Sequence, residues 1–194
     1  MGIELYGNRY TYKPSEDSLL LTYKVLKGFE RIDVSYDICT GSGIIAIMAA
    51  KRGSYVVGTD IMWDALRYAL KNSEVNGVSQ HIDFILCDGG EALRSDVENI
   101  LIFVNPPYIP GYPAMKMDLM YLGGEGGIEV AMKIIRDFQG IGDGSIYIIL
   151  SSYSDRSKFI EFVEEMNFYI DEVDEIYLGG ETLYLYKVWR ELAR

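Results

Sequence analysis

Val34-Ser35-Tyr36-Asp37-Ile38-Cys39-Thr40-Gly41-Ser42-Gly43, running straight into the helical pattern from Ile44 to Lys51, is the stretch that decides the fold. An apolar, β-prone run gives way to two closely spaced glycines and then to a helix, so the segment reads as strand, tight turn, helix. Glycines at such a turn let a ligand approach the backbone closely. Gly41, Gly43 and Ala46 also satisfy the G-x-G-x-x-A spacing, so this turn alone leaves a nicotinamide dehydrogenase open. Asp37 is flanked by apolar residues, where an unpaired carboxylate is costly, and it is therefore expected to be functional.

Working outward, four further runs read as strands: Tyr55 to Asp60, Ile82 to Cys87, Ile100 to Asn105 and Ser145 to Leu150, with Val34 to Cys39 as the first of five. All are short and mostly apolar on both faces, as strands covered on both sides should be. Helical patterns alternate with them. Ile128, Ala131, Ile134, Ile135 and Phe138 form one buried stripe, and Phe159, Ile160, Val163 and Met166 form another. An earlier helix over Glu16 to Lys27 has Leu19, Leu20, Tyr23 and Leu26 on one face and Ser15 at the position of a cap.

The end of the chain changes character. Phe168 to Tyr177 and Thr182 to Trp189 flank Leu178-Gly179-Gly180-Glu181, which predicts an antiparallel hairpin closing an otherwise parallel sheet. The expected architecture is α/β, a Rossmann-like parallel sheet with helices on both faces and a C-terminal antiparallel hairpin, over residues 1–194 as a single domain.

Composition narrows the function. A chain of 194 residues with 49% hydrophobic content can bury one sizeable core. Eighteen basic against 29 acidic residues, a net of -11, lack the cationic excess that a self-sufficient nucleic-acid binder needs. A protein or small-molecule substrate is favoured, while a local basic patch or a basic partner still leaves RNA or DNA open. The two cysteines, Cys39 and Cys87, lie in apolar runs without metal-ligand spacing and read as reduced core residues, so no metal site is indicated. The N-terminus Met1-Gly2-Ile3-Glu4 lacks a signal-peptide pattern, and no apolar run approaches the roughly 18 residues of a membrane span. A soluble, cytoplasmic protein is the expectation.

Asp60 ends the second strand, where it can accept hydrogen bonds from ribose hydroxyls or simply cap the next helix. Asp88, after the third strand, can meet an adenine amino group or cap the segment from Gly89. The most informative tetrapeptide is Asn105-Pro106-Pro107-Tyr108, at the carboxyl end of the fourth strand, where open parallel sheets bind ligands. Two prolines fix two φ angles and donate no backbone hydrogen, which leaves the Asn105 side-chain oxygen and the Pro106 carbonyl as a rigid pair of acceptors. They match the two hydrogens of an NH2 group. Held by both hydrogens, a planar amide or aromatic amine directs its developing lone pair at an activated methyl, with Tyr108 stacked on the planar group. The plainer reading is that Pro-Pro ends a strand and turns the chain.

With those residues in view, the chain resembles the HemK/PrmC-related class I methyltransferases, in particular the short archaeal and eukaryotic-like branch acting on the GGQ glutamine of translation termination factors. The resemblance spans the chain through Tyr12-Lys13-Pro14-Ser15-Glu16-Asp17, the Asp37 to Gly43 loop with Thr40, Asp60, Asn105 to Tyr108, and Gly123-Gly124. It implies S-adenosylmethionine as cofactor, whose methyl is already activated, so that no metal is required. It also implies that Tyr12, Pro14, Glu16 and Asp17 close the cofactor pocket and that Asn105 to Tyr108 bind the glutamine amide. Two departures stand out: the N-terminal helical domain of longer bacterial members is absent, and Gly126 stands where the family commonly has Asp. Gly123 to Gly127 reads as a mobile or closely packed turn.

Members of that short branch work with a small zinc-containing activator protein that adds to the sheet edge. If Ile82 to Cys87 is the edge strand, Ile82, Phe84 and Leu86 are candidates for such a contact, with His81 merely flanking. The same loop geometry serves an exocyclic amine of RNA or DNA, so that substrate remains the alternative. A cofactor-binding protein without catalysis is the reading from another class, and the intact Asn-Pro-Pro-Tyr argues against it.

Overall fold

The computed structural model describes residues 2–28, 33–97 and 99–190; Met1 of the N-terminal reading lies outside them. Five parallel strands run through β1 (Val34–Ile38), β2 (Tyr55–Asp60), β3 (Ile82–Leu86), β4 (Ile100–Val104) and β5 (Gly144–Ser151). The hairpin strands β6 (Tyr169–Tyr177) and β7 (Thr182–Trp189) follow, with β7 antiparallel to both β5 and β6. The sheet order is β3-β2-β1-β4-β5-β7-β6. Ser151 pairs with Leu183, so the hairpin turn lies at the carboxyl end of the parallel strands.

The central strand shows why the sheet is hidden. All five residues of β4 are buried, Leu101 and Phe103 entering one core and Ile100, Ile102 and Val104 the other. Burying each such side chain contributes about 1.5–3 kcal/mol. The first core is covered by α1 (Glu16–Lys27) and α2 (Ile44–Ala50), with α3 (Trp63–Val75) alongside α2. The second lies under α4 (Glu129–Asp137) and α5 (Arg156–Glu165), where Ile128, Ala131, Ile134, Ile135 and Phe138 are all fully buried.

Several local expectations are corrected. On α1 the buried face is Asp17, Ser18, Leu20, Leu21, Thr22, Val25 and Leu26, whereas Leu19 and Tyr23 are 56% and 58% exposed. The face is rotated because its first turn serves a polar site instead of the core. Ser15 occupies the N-cap position, yet its hydroxyl bonds to the Glu16 carboxylate and caps nothing. On α5, Phe162 joins Phe159 and Val163 in the core, while Ile160 and Met166 are half-buried. Cys39 and Cys87 are free thiols, and both are half-buried instead of core residues. β1 stops at Ile38 because Cys39 takes φ +61°, outside the strand region.

β3 is an edge strand, but Ile82 is buried in its own core. Phe84 packs beneath Gly58, where an added Cβ would stand 2.7 Å from its ring. Leu86, 52% exposed, is the member of the apolar trio that remains open.

Candidate active site

The strand order reverses between β1 and β4, and a cavity of about 380 Å³ opens beyond the carboxyl ends of these strands, as in other open parallel sheets. One wall is the turn after β1. Gly41 adopts φ +55° and lies so close to Tyr12 that an added Cβ would stand 3.3 Å from the Tyr12 Cβ. Asp60 grips this wall from β2: its Oδ2 accepts from the Gly41 amide at 2.9 Å and its Oδ1 from the Met62 amide at 2.8 Å. Burial pushes the Asp60 carboxyl up to about 6 against the opposing pull of those amides.

Asp37 does not reach the cavity. Its Oδ2 accepts from the Thr40 hydroxyl at 2.6 Å and the Ala46 amide at 3.0 Å, tying the turn to the first turn of α2. Its Oδ1 is buried with no hydrogen-bond partner, and burial raises the carboxyl to about 7. Thr40 is buried behind the same wall, and Gly43, at φ +80°, packs on α3, where an added Cβ would stand 3.1 Å from that of Ala69. Asp37, Thr40 and Gly43 therefore shape the turn from behind, while Gly41, Asp60 and the half-buried Cys39 line the space. Burial holds the Cys39 thiol well above its ordinary range.

Asp88 also lines the cavity, on a loop pinned from α4. Lys133 donates to the Asp88 carbonyl at 2.9 Å and to Asp137 Oδ2 at 3.0 Å, and that same carboxylate oxygen accepts from the Gly90 amide at 2.9 Å. Lys133 itself lines the cavity and was not anticipated; its spacing of four from Asp137 on one helix was the available signal.

The opposite wall is the Asn105-Pro106-Pro107-Tyr108 loop, and all four residues line the cavity. Asn105 Oδ1 is buried and has no hydrogen-bond partner, an arrangement that costs free energy unless something else fills it. Asn105 Nδ2 lies 3.5 Å from Ser18 Oγ. The Tyr108 hydroxyl donates to Asp17 Oδ2 at 3.2 Å, and the Tyr12 hydroxyl donates to the same oxygen. Burial and then the Asp17 charge push both phenols well above their ordinary range.

The glycine stretch proves closely packed. An added Cβ at Gly123 would stand 2.2 Å from the Pro107 carbonyl oxygen, and one at Gly127 2.3 Å from that of Tyr108. Ser154, after β5, donates to the Tyr108 carbonyl at 2.8 Å. The departure at Gly126 is filled from α4, where the Glu129 carboxylate accepts from the Gly126 and Ile128 amides.

Pro14 and Glu16 do not line the cavity; Glu16 is exposed and they mark the approach to α1. Tyr12 and Asp17 from the same motif do line it. Sequence reading missed the outer rim, built by Tyr10, Pro113 and the segment Leu119 to Leu122. Tyr121 meets Tyr12 edge-on at 5.9 Å. Lys116, in a short 3-10 turn over Lys116–Met120, is paired with Asp64. Among the described residues no helix is long and apolar enough to cross a membrane.

Residues 32–120 match a family model described as RNA cap guanine-N2 methyltransferase. The chain is 30% identical to a protein of Methanocaldococcus jannaschii named as a protein N5-glutamine methyltransferase, over 97% of this chain and 96% of that one. It is 42% identical to the release factor glutamine methyltransferase of Chlorobaculum tepidum, over 38% of this chain and 27% of that longer one. In three dimensions it resembles a chain of the E. cuniculi Mtq2-Trm112 complex, responsible for methylation of the eRF1 translation termination factor. That likeness has a TM-score of 0.74 at 22% identity and covers 93% of this chain and 99% of that one. The catalytic domain of human METTL16, solved with an RNA hairpin, gives 0.75 at 18% identity, covering 97% and 74%. The structural likenesses show the class I methyltransferase fold, and the match to the M. jannaschii protein over 97% of the chain establishes that the chain belongs to the HemK-related protein N5-glutamine methyltransferases.

Proposed function

We propose that this enzyme methylates the side-chain amide of the GGQ glutamine in a class I translation termination factor, using the Asn105 to Tyr108 loop to hold the amide. The observation that carries the reading is the buried, unpartnered Asn105 Oδ1 at the cavity wall. S-adenosylmethionine, implied by family and fold, supplies a methyl on a cationic sulfur. The residues present fit such a cofactor: Asp60 and Asp88 line the space with carboxylates for its hydroxyl and amino groups, and Asp17 adds a buried negative charge behind Tyr12 and Tyr108. Tyr12 and Asn105 close the same space.

In this reading the substrate NH2 donates one hydrogen to Asn105 Oδ1 and the other to the Pro106 carbonyl. Methyl transfer from the bound cofactor would leave the bonding pair on its sulfur and place growing positive charge on this nitrogen, which the two acceptors hold. Both acceptors bind that nitrogen more tightly in the transition state than in the ground state, which is the form of binding that accelerates a reaction. The proton leaves after bond formation, because an alkylated amide cation is a strong acid, so no side-chain base is required. Tyr108, its hydroxyl anchored to Asp17, presents its ring to the planar amide.

A second reading, an exocyclic amine of RNA or DNA, is favoured by the family model and by the likeness to an RNA-bound methyltransferase domain. Against it, the cavity's Lys133 and the rim's Lys116 are already paired with carboxylates. Apolar surface is exposed instead on and beside the rim, with Tyr121 42% exposed on it and Tyr112 and Met115 71% and 68% exposed next to it in sequence, as suits a protein substrate. A small zinc-containing activator adding to the β3 edge at Leu86 is part of the proposal, supported by the two-protein assembly of the E. cuniculi relative. Action on a termination factor, a component of translation, supports a cytoplasmic enzyme. The test is incubation with methyl-labelled S-adenosylmethionine, with and without activator, and a termination factor bearing GGQ or GGA. Label on GGQ alone supports the reading, and label on RNA or DNA instead moves it to the second.

A further inference from the structure

An asparagine amide has two ends of similar shape and opposite polarity, and only one serves here. Oδ1 accepts a hydrogen bond from a substrate NH2, whereas Nδ2 would oppose it donor to donor. Something in the fold has to choose between them.

Asp17 is 1% exposed and Ser18 is 2% exposed. Asp17 receives only donors: the Tyr12 and Tyr108 hydroxyls at Oδ2 and the Ser18 amide at Oδ1, 2.5 Å away. The Ser18 hydroxyl stands 3.2 Å from the same Oδ1, so its hydrogen turns to the carboxylate. What it then offers Asn105, 3.5 Å away, is a lone pair, and the end of the amide facing it has to be the donor. The polarity runs from Asn105 Nδ2 to Ser18 Oγ to Asp17 Oδ1. The opposite flip would set Asn105 Oδ1 against a hydroxyl whose hydrogen is committed elsewhere, inside a region where unmatched polar groups are costly.

We infer that Ser18 is a positioning residue that sets the orientation of the Asn105 amide, so that its oxygen faces the substrate nitrogen. The inference rests on the reading that Asn105 Oδ1 holds the substrate amide.

The test is a double-mutant cycle of Ser18→Ala and Asn105→Ala, with Ser18→Thr as the conservative variant and thermal unfolding recorded for each. Ser18→Ala is expected to lower kcat about tenfold while KM and the calorimetric Kd for S-adenosylmethionine move by less than about threefold. Ser18→Thr, which keeps the hydroxyl, should recover most of the rate. In the Asn105→Ala background, Ser18→Ala should cost less than about twofold. An equal loss in both backgrounds, no recovery in Ser18→Thr, or a cofactor Kd that weakens in step with kcat overturns the inference. Full activity in Asn105→Ala overturns the amide-holding reading and the inference with it. Loss in Asn105→Ala with none in Ser18→Ala overturns the inference alone.

Discussion

Gly127 lies against the backbone of Tyr108, with its missing Cβ 2.3 Å from the Tyr108 carbonyl oxygen. With Gly123 pressed in the same way on the Pro107 carbonyl, the glycine stretch acts as a clamp on the loop proposed to hold the substrate amide. Its glycines are required by contact as well as by backbone angle.

Gly127→Ala is therefore expected to displace the Asn-Pro-Pro-Tyr loop and lower kcat by more than about tenfold, since small misplacements of reacting groups are costly. Gly179→Ala is the matched control, with φ +71° against +67° but nothing within 4 Å of an added Cβ. It should carry only the backbone cost of about 1–2 kcal/mol and keep full activity. Steady-state kinetics and melting curves of the two variants check this.

Tyr108 is read as a ring held in place by its hydroxyl. Tyr108→Phe loses the bond to Asp17 but keeps the ring, and kcat should fall by less than about tenfold. Tyr108→Ala should lose about a hundredfold or more. Equal losses in the two would assign the effect to the hydroxyl.

Asp37 and Asp60 bind a proton more tightly folded, at about 7 and about 6, than in an unfolded chain near 3.8. Their contribution to stability is fully present below about 4 and is lost as pH rises through 6 and 7. Asp37→Asn keeps an acceptor for Thr40 and Ala46 and removes the titration. From pH 5 to 7.5 the melting temperature of the cofactor-free wild type should fall by roughly 5 °C relative to this variant, as scanning fluorimetry would show.

Leu86 is more than half exposed on the edge strand. Leu86→Glu should leave S-adenosylmethionine affinity unchanged and abolish stimulation by the proposed zinc-containing activator. Undiminished stimulation would move the activator to another surface.

Strands and hairpin were legible within a residue or so because their signal is local: β-branched runs ended by glycine, proline or asparagine, and two strands flanking a paired glycine turn. The first turn of α1 was misread because Asp17 and Ser18 take buried positions that a hydrophobic pattern assigns to Leu19 and Tyr23. A functional site breaks the pattern on which periodicity depends. Asp37, Thr40 and Gly43 were visible as a motif, but whether a side chain faces the cavity or supports the wall behind it depends on packing against α2 and α3. Lys133 and the rim from Leu119 to Leu122 come together only through tertiary contacts such as the bridge between Ile109 and Leu122.

The most direct test is peptide mapping by mass spectrometry of a GGQ-bearing termination factor after incubation with S-adenosylmethionine, activator and either wild-type chain or Asn105→Ala. The account predicts one methyl on the side-chain nitrogen of the GGQ glutamine with wild type. With Asn105→Ala it predicts a rate lower by about a hundredfold or more, with cofactor affinity retained. A methyl on any other residue, or undiminished methylation by Asn105→Ala, would contradict it.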